Sequence, residues 1–365
     1  MASPKIHAYI EFPVDHTLFD VKWIPHSAKC LALGRQPNGR GLFRVYEMSG
    51  QRLQQVHEVE QPQGIKCGTF GASSWEERNI ATADFKGQLC IWDLEDPAEP
   101  VMNVKAHRQI INSIDGIGGS NDSPVTPSLV TGSKDGKEDS FLFKHSGGSV
   151  KVWDPRQTQP AVVMEPLPDE RRQDCWAVTF GNAYSTAGQC VCAGYENGDV
   201  KLFDIRNFKV SWETCIKSGV CSIEFDQRYI YMNKLVVTST ASQIDVFDMR
   251  TRHPEKGFAR LTTANPHGTT VWTVRHLPQD KDTFATTNGD GSLSIWKYCY
   301  PEKRASEGTD GSVQGVMGSL SLLCDSKLSS QPITGFDWNP HMPGLFALCA
   351  LDQTLRIGFV AGLGS

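Results

Sequence analysis

His107, Thr131, Ser133, Asp135 and Trp153 bring together the histidine, hydroxyl and carboxylate types of acyl-transfer chemistry. In contact, a serine, histidine and aspartate make an activated nucleophile, the imidazole taking the hydroxyl proton. The common hydrolase arrangement presents its serine on a G-x-S-x-G turn, and the chain has none. The same residue types recur at His267, Thr286, Asp290 and Trp296. A constellation that repeats and each time includes a tryptophan fits polar groups satisfying one another inside a fold, so no catalytic residue is expected.

Other reactive patterns are missing as well. There is no GxxxxGK[ST], HExxH or GxGxxG, and Gly116-Ile117-Gly118-Gly119 follows a strand without the helix that a phosphate-cradling loop opens. Eleven scattered cysteines without a CxxC read as reduced, buried thiols, and ten histidines form no cluster at ligand spacing. Neither metal nor cofactor is therefore expected. With 36 Lys+Arg against 41 Asp+Glu the net charge is −5, which disfavours nucleic acid as a partner. The longest apolar run, 345–351, stops at Asp352, far short of the about 20 residues that span a bilayer. Glu11 and Asp15 interrupt any signal-type stretch, so a cytoplasmic location is expected.

A repeat must position these residues. GLFRVYEM (41–48), GQLCIWDL (87–94), GSVKVWDPR (148–156), GDVKLFDIR (198–206), SQIDVFDMR (242–250), GSLSIWKY (291–298) and QTLRIGFV (353–360) are seven versions of one strand. Its marked position runs from Tyr46 through Trp92, Trp153, Phe203, Phe247 and Trp296 to Gly358, a mean spacing of 52 residues. That period belongs to stacked repeats. Within each interval a strand like VCSIEF (220–225) comes first and a small-residue strand ending in a Gly/Asn/Asp turn second, and a weaker strand follows the marked one. Four short strands cannot hide both faces from water, so the expected fold is all-β, a seven-bladed propeller forming one domain over 1–365.

The blades are expected at about 17–60, 63–105, 108–166, 173–216, 218–264, 268–326 and 331–361. Residues 6–12 should complete the last blade and close the ring. A 12-residue insertion at 137–148 reads as a mobile loop, either presenting Phe141-Leu142-Phe143 as a partner anchor or being a lineage-specific or spurious insertion, and 301–317 reads as a flexible loop.

Trp92-Asp93 and Trp153-Asp154 give nearly the whole chain a resemblance to WD-repeat β-propellers. The resemblance implies that His107, Thr131, Ser133, Asp135 and Trp153, and likewise His267, Thr286, Asp290 and Trp296, form buried hydrogen-bond networks. In this architecture the residue after the opening position of each first strand lies at the channel mouth: Phe19, Lys66, Asn112, Trp176, Cys221, Trp272 and Thr334. Two tryptophans, a phenylalanine and a lysine suit a protein-binding rim; the alternative is that both tryptophans pack between blades. Rim aromatics could also cage a methylated lysine, given acidic neighbours. The [WF]-D-x-R endings at Arg156, Arg206 and Arg250 resemble those of substrate receptors of cullin-RING ubiquitin ligases, although Asp and Arg there also pair locally.

IKCGTFGA (65–72), INSIDGIGG (111–119), KVWDPRQ (151–157), GNAY (181–184), CAGYENGDVKLFDIRN (192–207), MNKL (232–235), FDMRT (247–251) and VRHLPQ (274–279) together resemble a narrower family. It is the Monad family, also called WD repeat-containing protein ninety-two or dynein axonemal assembly factor ten. The resemblance implies a non-enzymatic adaptor linking a co-chaperone complex of prefoldin-like subunits and AAA+ ATPases to cytoplasmic preassembly of axonemal dynein heavy chains, and a connection to apoptosis. A monomer in isolation is expected. The 137–148 insertion departs from the family pattern, and the alternatives are a ligase substrate receptor or a reader of methylated lysine or ubiquitin.

Overall fold

A computed structural model describes residues 3–119, 123, 125–135, 148–164, 173–185, 188–308 and 311–363. Its strands form seven four-stranded antiparallel sheets and one two-stranded hairpin. The innermost strands of blades 1 to 7 are Thr17–Trp23, Ile65–Thr69, Ile111–Ile117, Cys175–Gly181, Val220–Phe225, Val271–Leu277 and Ile333–Trp338. Second strands such as Cys190–Tyr195 and Leu345–Ala350 are buried at every position because blades cover both their faces. Outer strands such as Gly257–Ala264 return to an alternation of exposed and half-buried residues.

The marked aromatics are core residues. Trp153, Phe247 and Trp296 are all buried, and Trp92 meets Phe43 of the preceding blade edge to face at 5.6 Å. Gly358 breaks the pattern because Phe346 on the neighbouring strand already fills that volume; a Cβ at 358 would lie 2.2 Å from its ring. The ring closes as the repeat predicts. Lys5–Pro13 pairs antiparallel with Thr354–Ala361, with Ile6 opposite Val360 and Phe12 opposite Leu355, so the last blade combines both ends of the described chain.

Side chains of one innermost strand also cap backbone N–H groups of the next. Asp20 accepts from Gly68 at 3.1 Å, Asp115 from Phe180 at 2.9 Å, Glu224 from His276 at 2.5 Å and Asp337 from Trp23 at 2.8 Å. These strands turn an edge toward the channel, and an unmet N–H there would be costly. Burial pushes the Asp337 carboxyl up from 3.8 to about 6, against the pull of Lys22 and the Trp23 N–H.

The blade 3 network is built around His107. Its Nδ1 lies 2.7 Å from Asp135 and its Nε2 2.7 Å from the Thr131 hydroxyl, which also accepts the Trp153 indole N–H at 3.0 Å. Ser133 is not part of it. Its hydroxyl donates to the Ile110 carbonyl at 2.8 Å, while Ser149 fills the predicted role by donating to Asp135 at 2.9 Å. In blade 6 the Trp296 to Thr286 bond is present at 2.9 Å, but His267 stands at the edge, 3.3 Å from Asp290. The interior there is held by Asn265, which donates to Asn288, and by Asn288, which donates to Ser292 and Ser294.

Residues 301–308 and 311–317 are not a loose loop. Ala305–Glu307 and Val313–Gly315 pair as a hairpin, and Arg304 fastens it to blade 5 through Asp248 at 2.7 Å and the Asn233 side chain at 2.7 Å. Beside it Lys234 is buried between Asp226 and Asp282, both at 2.8 Å. The 137–148 insertion with Phe141-Leu142-Phe143, apart from Gly148, lies outside the described residues.

Two outcomes follow from these bonds. Thr131→Val deprives both His107 and Trp153 of a buried partner and is expected to cost about 2 kcal/mol in denaturant unfolding; Ser133→Ala, whose partner carbonyl also accepts Lys134 N, should cost less than about 1 kcal/mol. For Asp337 the folded state holds the proton more tightly than the unfolded chain. Its stabilising contribution is therefore complete below 3.8 and lost as the pH rises through about 6. Relative to Asp337→Asn, the parent protein should lose on the order of 2 kcal/mol between about pH 4 and about pH 7 in thermal or denaturant melts.

Candidate functional site: the channel rim

Each innermost strand carries an irregularity in its pairing near its start, and that of blade 6 has a second between His276 and Leu277. The register shifts between Leu18 and Asp20, Ile65 and Cys67, Ile111 and Ser113, Cys175 and Ala177, Val220 and Ser222, Val271 and Thr273, and Ile333 and Gly335. The residue left unpaired is Phe19, Lys66, Asn112, Trp176, Cys221, Trp272 or Thr334, the seven positions singled out from the sequence. A bulge frees one residue from the ladder and re-aims its side chain. Here all seven line one axial channel of about 720 Å³, at the end where the innermost strands begin, here termed the upper end.

The seven differ in how far they are already engaged. Asn112 donates to the Cys175 carbonyl at 2.9 Å and Thr334 to the Leu18 carbonyl at 3.0 Å, so both tie neighbouring blades together. Burial pushes the Cys221 thiol up to about 12, which keeps it protonated and unreactive at neutral pH. The half-buried Trp176 ring lies over Gly219, where a Cβ would come within 2.9 Å of it. Trp272 is 42% exposed, and Lys66 Nζ sits 5.3 Å from the centre of the Phe19 ring. Among the described residues no ring contact joins Phe19, Trp176 and Trp272; Phe19 instead meets Phe85 edge to face at 5.0 Å.

Below the rim the channel wall is charged. Asp20 pairs with Lys22 at 2.6 Å, Asp115 with Arg228 at 2.7 Å and Glu224 with His276 at 2.9 Å. Arg228 arrives from the loop after the innermost strand of blade 5 and also reaches the Gly116 carbonyl at 3.1 Å, narrowing the lower mouth. These carboxylates were not singled out beforehand, although a signal exists. Asp115, Glu224 and Asp337 each lie three residues after a rim position, in alternate blades.

The [WF]-D-x-R endings follow third strands and so sit at the lower end. Arg156 clasps Asp154 at 2.7 and 2.8 Å, and Arg206 clasps Asp204 at 2.5 and 2.9 Å, which holds each arginine on its own turn. Arg250 is different: its guanidinium lies 5.2 Å from the Tyr231 ring centre, since Asp248 is taken by Arg304. The His107 and Asp135 pair is buried, and among the described residues its hydroxyl neighbours Thr131 and Ser149 are both engaged in hydrogen bonds.

No protein-family model matches the chain. It is 50% identical over 364 residues to Dynein axonemal assembly factor 10 of Xenopus laevis, an alignment covering 100% of this chain and 98% of that protein. The protein of the same name from Homo sapiens is 49% identical over 99% of this chain and 98% of its own length, and that from Chlamydomonas reinhardtii is 44% identical over the same shares. Likeness at this level from end to end, in a seven-bladed ring, establishes that the chain belongs to the dynein axonemal assembly factor 10 family.

Proposed function

We propose that this chain is a non-enzymatic scaffold of the cytoplasm, linking a prefoldin-like co-chaperone complex with AAA+ ATPases to the preassembly of axonemal dynein heavy chains. The observation that carries the reading is the full-length match to relatives named for axonemal dynein assembly. The geometry is consistent with it in two respects. The polar constellation that could have served hydrolysis is consumed in internal hydrogen bonds. The side chains released from the sheets gather instead at a ring-shaped rim, where Trp272 and Lys66 present apolar area and charge of the kind that anchors protein interfaces. Phe19, Asn112, Trp176, Cys221 and Thr334 complete that docking rim, and Arg156, Arg206 and Arg250 offer a second set of contacts at the lower end. Among the described residues no helix is long and apolar enough to cross a membrane.

Deletion in a ciliated cell is expected to lower axonemal dynein heavy chains several-fold while tubulin is unchanged, and re-expression to restore them. Heavy-chain levels that stay at the parental value would overturn the reading. Trp272→Ala should fold like the parent protein, because its ring is exposed, yet co-purify less of the co-chaperone subunits by quantitative mass spectrometry.

A further inference from the structure

Blades 1 to 3 carry at their upper end a group of cations that the protein does not neutralise. Second strands end there, turns between second and third strands lie there, and so do the links from an outer strand to the next blade. That topology places Arg35, Lys66, Lys86, Lys105 and Arg108 at one end of the ring. All but the half-buried Lys66 are exposed. The Lys105 ammonium donates to the Lys86 carbonyl and His107 N donates to the Gly87 carbonyl at 3.0 Å, which draws Lys86, Lys105 and Arg108 into one neighbourhood.

Two of the cations flank an aromatic pair. Phe19 and Phe85 meet edge to face at 5.0 Å, with Lys66 5.3 Å from the Phe19 ring centre and Arg35 5.8 Å from that of Phe85. Among the described residues none of the five cations has a carboxylate at ion-pair distance, whereas nearby Arg40 pairs with Glu60 at 2.7 Å and Lys134 with Asp174 at 3.3 Å. The carboxylate in that turn, Asp84, is buried and occupied by the Lys86 and Gln88 N–H groups at 2.8 and 2.7 Å. In a chain of net charge −5 such an excess is not a consequence of composition. The channel mouth offers apolar area, with Leu351 of the neighbouring last blade 40% exposed and Trp272, on the far side of the mouth, 42% exposed.

We propose that this sector docks an acidic segment of a partner protein, its carboxylates meeting the five cations and an apolar side chain entering the channel mouth beside Phe19. The inference rests on the reading of the rim as a docking face and names the chemistry of what docks there. A carboxylate-rich chain supplies both the missing counter-charges and the apolar anchor, and such contacts steer and select partners more than they add raw affinity.

The test uses the full chain and a fluorescein-labelled peptide of ten Asp and Glu residues around a central Leu-Trp, read by fluorescence anisotropy. The acidic peptide should bind, the same peptide with Lys at every acidic position should not, and raising salt should weaken binding, since exposed charges are screened beyond about 8 Å at physiological ionic strength. The triple change Lys66→Glu, Lys86→Glu and Arg108→Glu should weaken binding more than about tenfold. Lys209→Glu, exposed at the lower end where an outer strand begins, should leave it unchanged, both variants melting like the parent protein. Equal binding of both peptides, undiminished binding by the triple variant, or tighter binding of a single-stranded oligonucleotide of equal charge would overturn the proposal. If the acidic peptide fails to bind while deletion still depletes dynein heavy chains, the scaffold reading stands and this assignment falls.

Discussion

Ring closure is the constraint on which everything else depends. A four-stranded sheet whose second and third strands are apolar on both faces has no stable existence alone, so each blade needs a neighbour on either side. The circle is completed by backbone pairing between Lys5–Pro13 and Thr354–Ala361, with Asp337 and Thr334 of the last blade reaching Trp23 and Leu18 of the first. Those contacts join residues more than 300 positions apart. Such long-range pairing carries a loop-closure entropy that burial must offset.

The fold was legible because its signals are local and repeated. Period-two alternation, a marked aromatic and a Gly/Asn/Asp turn recur at each blade, and the seven rim positions could be counted from the opening residue of each innermost strand. The identity of the polar partners was less legible. Ser133 and Ser149 both flank Asp135, and which hydroxyl reaches it depends on how the chain returns after the insertion. Asn265 and His267 stand two residues apart, and the smaller amide, not the imidazole, is the one enclosed in blade 6. The 301–317 segment has the composition of a flexible loop; its order comes from Arg304 meeting Asp248, a contact across blades that composition cannot report.

The channel shows the same division between what a strand specifies and what a neighbour supplies. Alternate blades send a carboxylate across to cap the next innermost strand, so the charged wall belongs to the architecture and is largely spent on it. Arg35, Lys66, Lys86, Lys105 and Arg108, which have no ion-pair partner among the described residues, lie elsewhere, on the turns, strand ends and links of blades 1 to 3. The charge that caps the innermost strands and these unpaired cations are thus separated in space.

The bulge at the start of each innermost strand separates them in inheritance as well. A residue that takes no part in the ladder can differ from blade to blade without changing the register of the strands beside it. Phenylalanine, lysine, asparagine, tryptophan, cysteine and threonine all occupy that one geometric slot in a single molecule. The torus therefore keeps its recognition alphabet apart from its folding code, and a lineage could rewrite the partners of such a platform while leaving the platform intact.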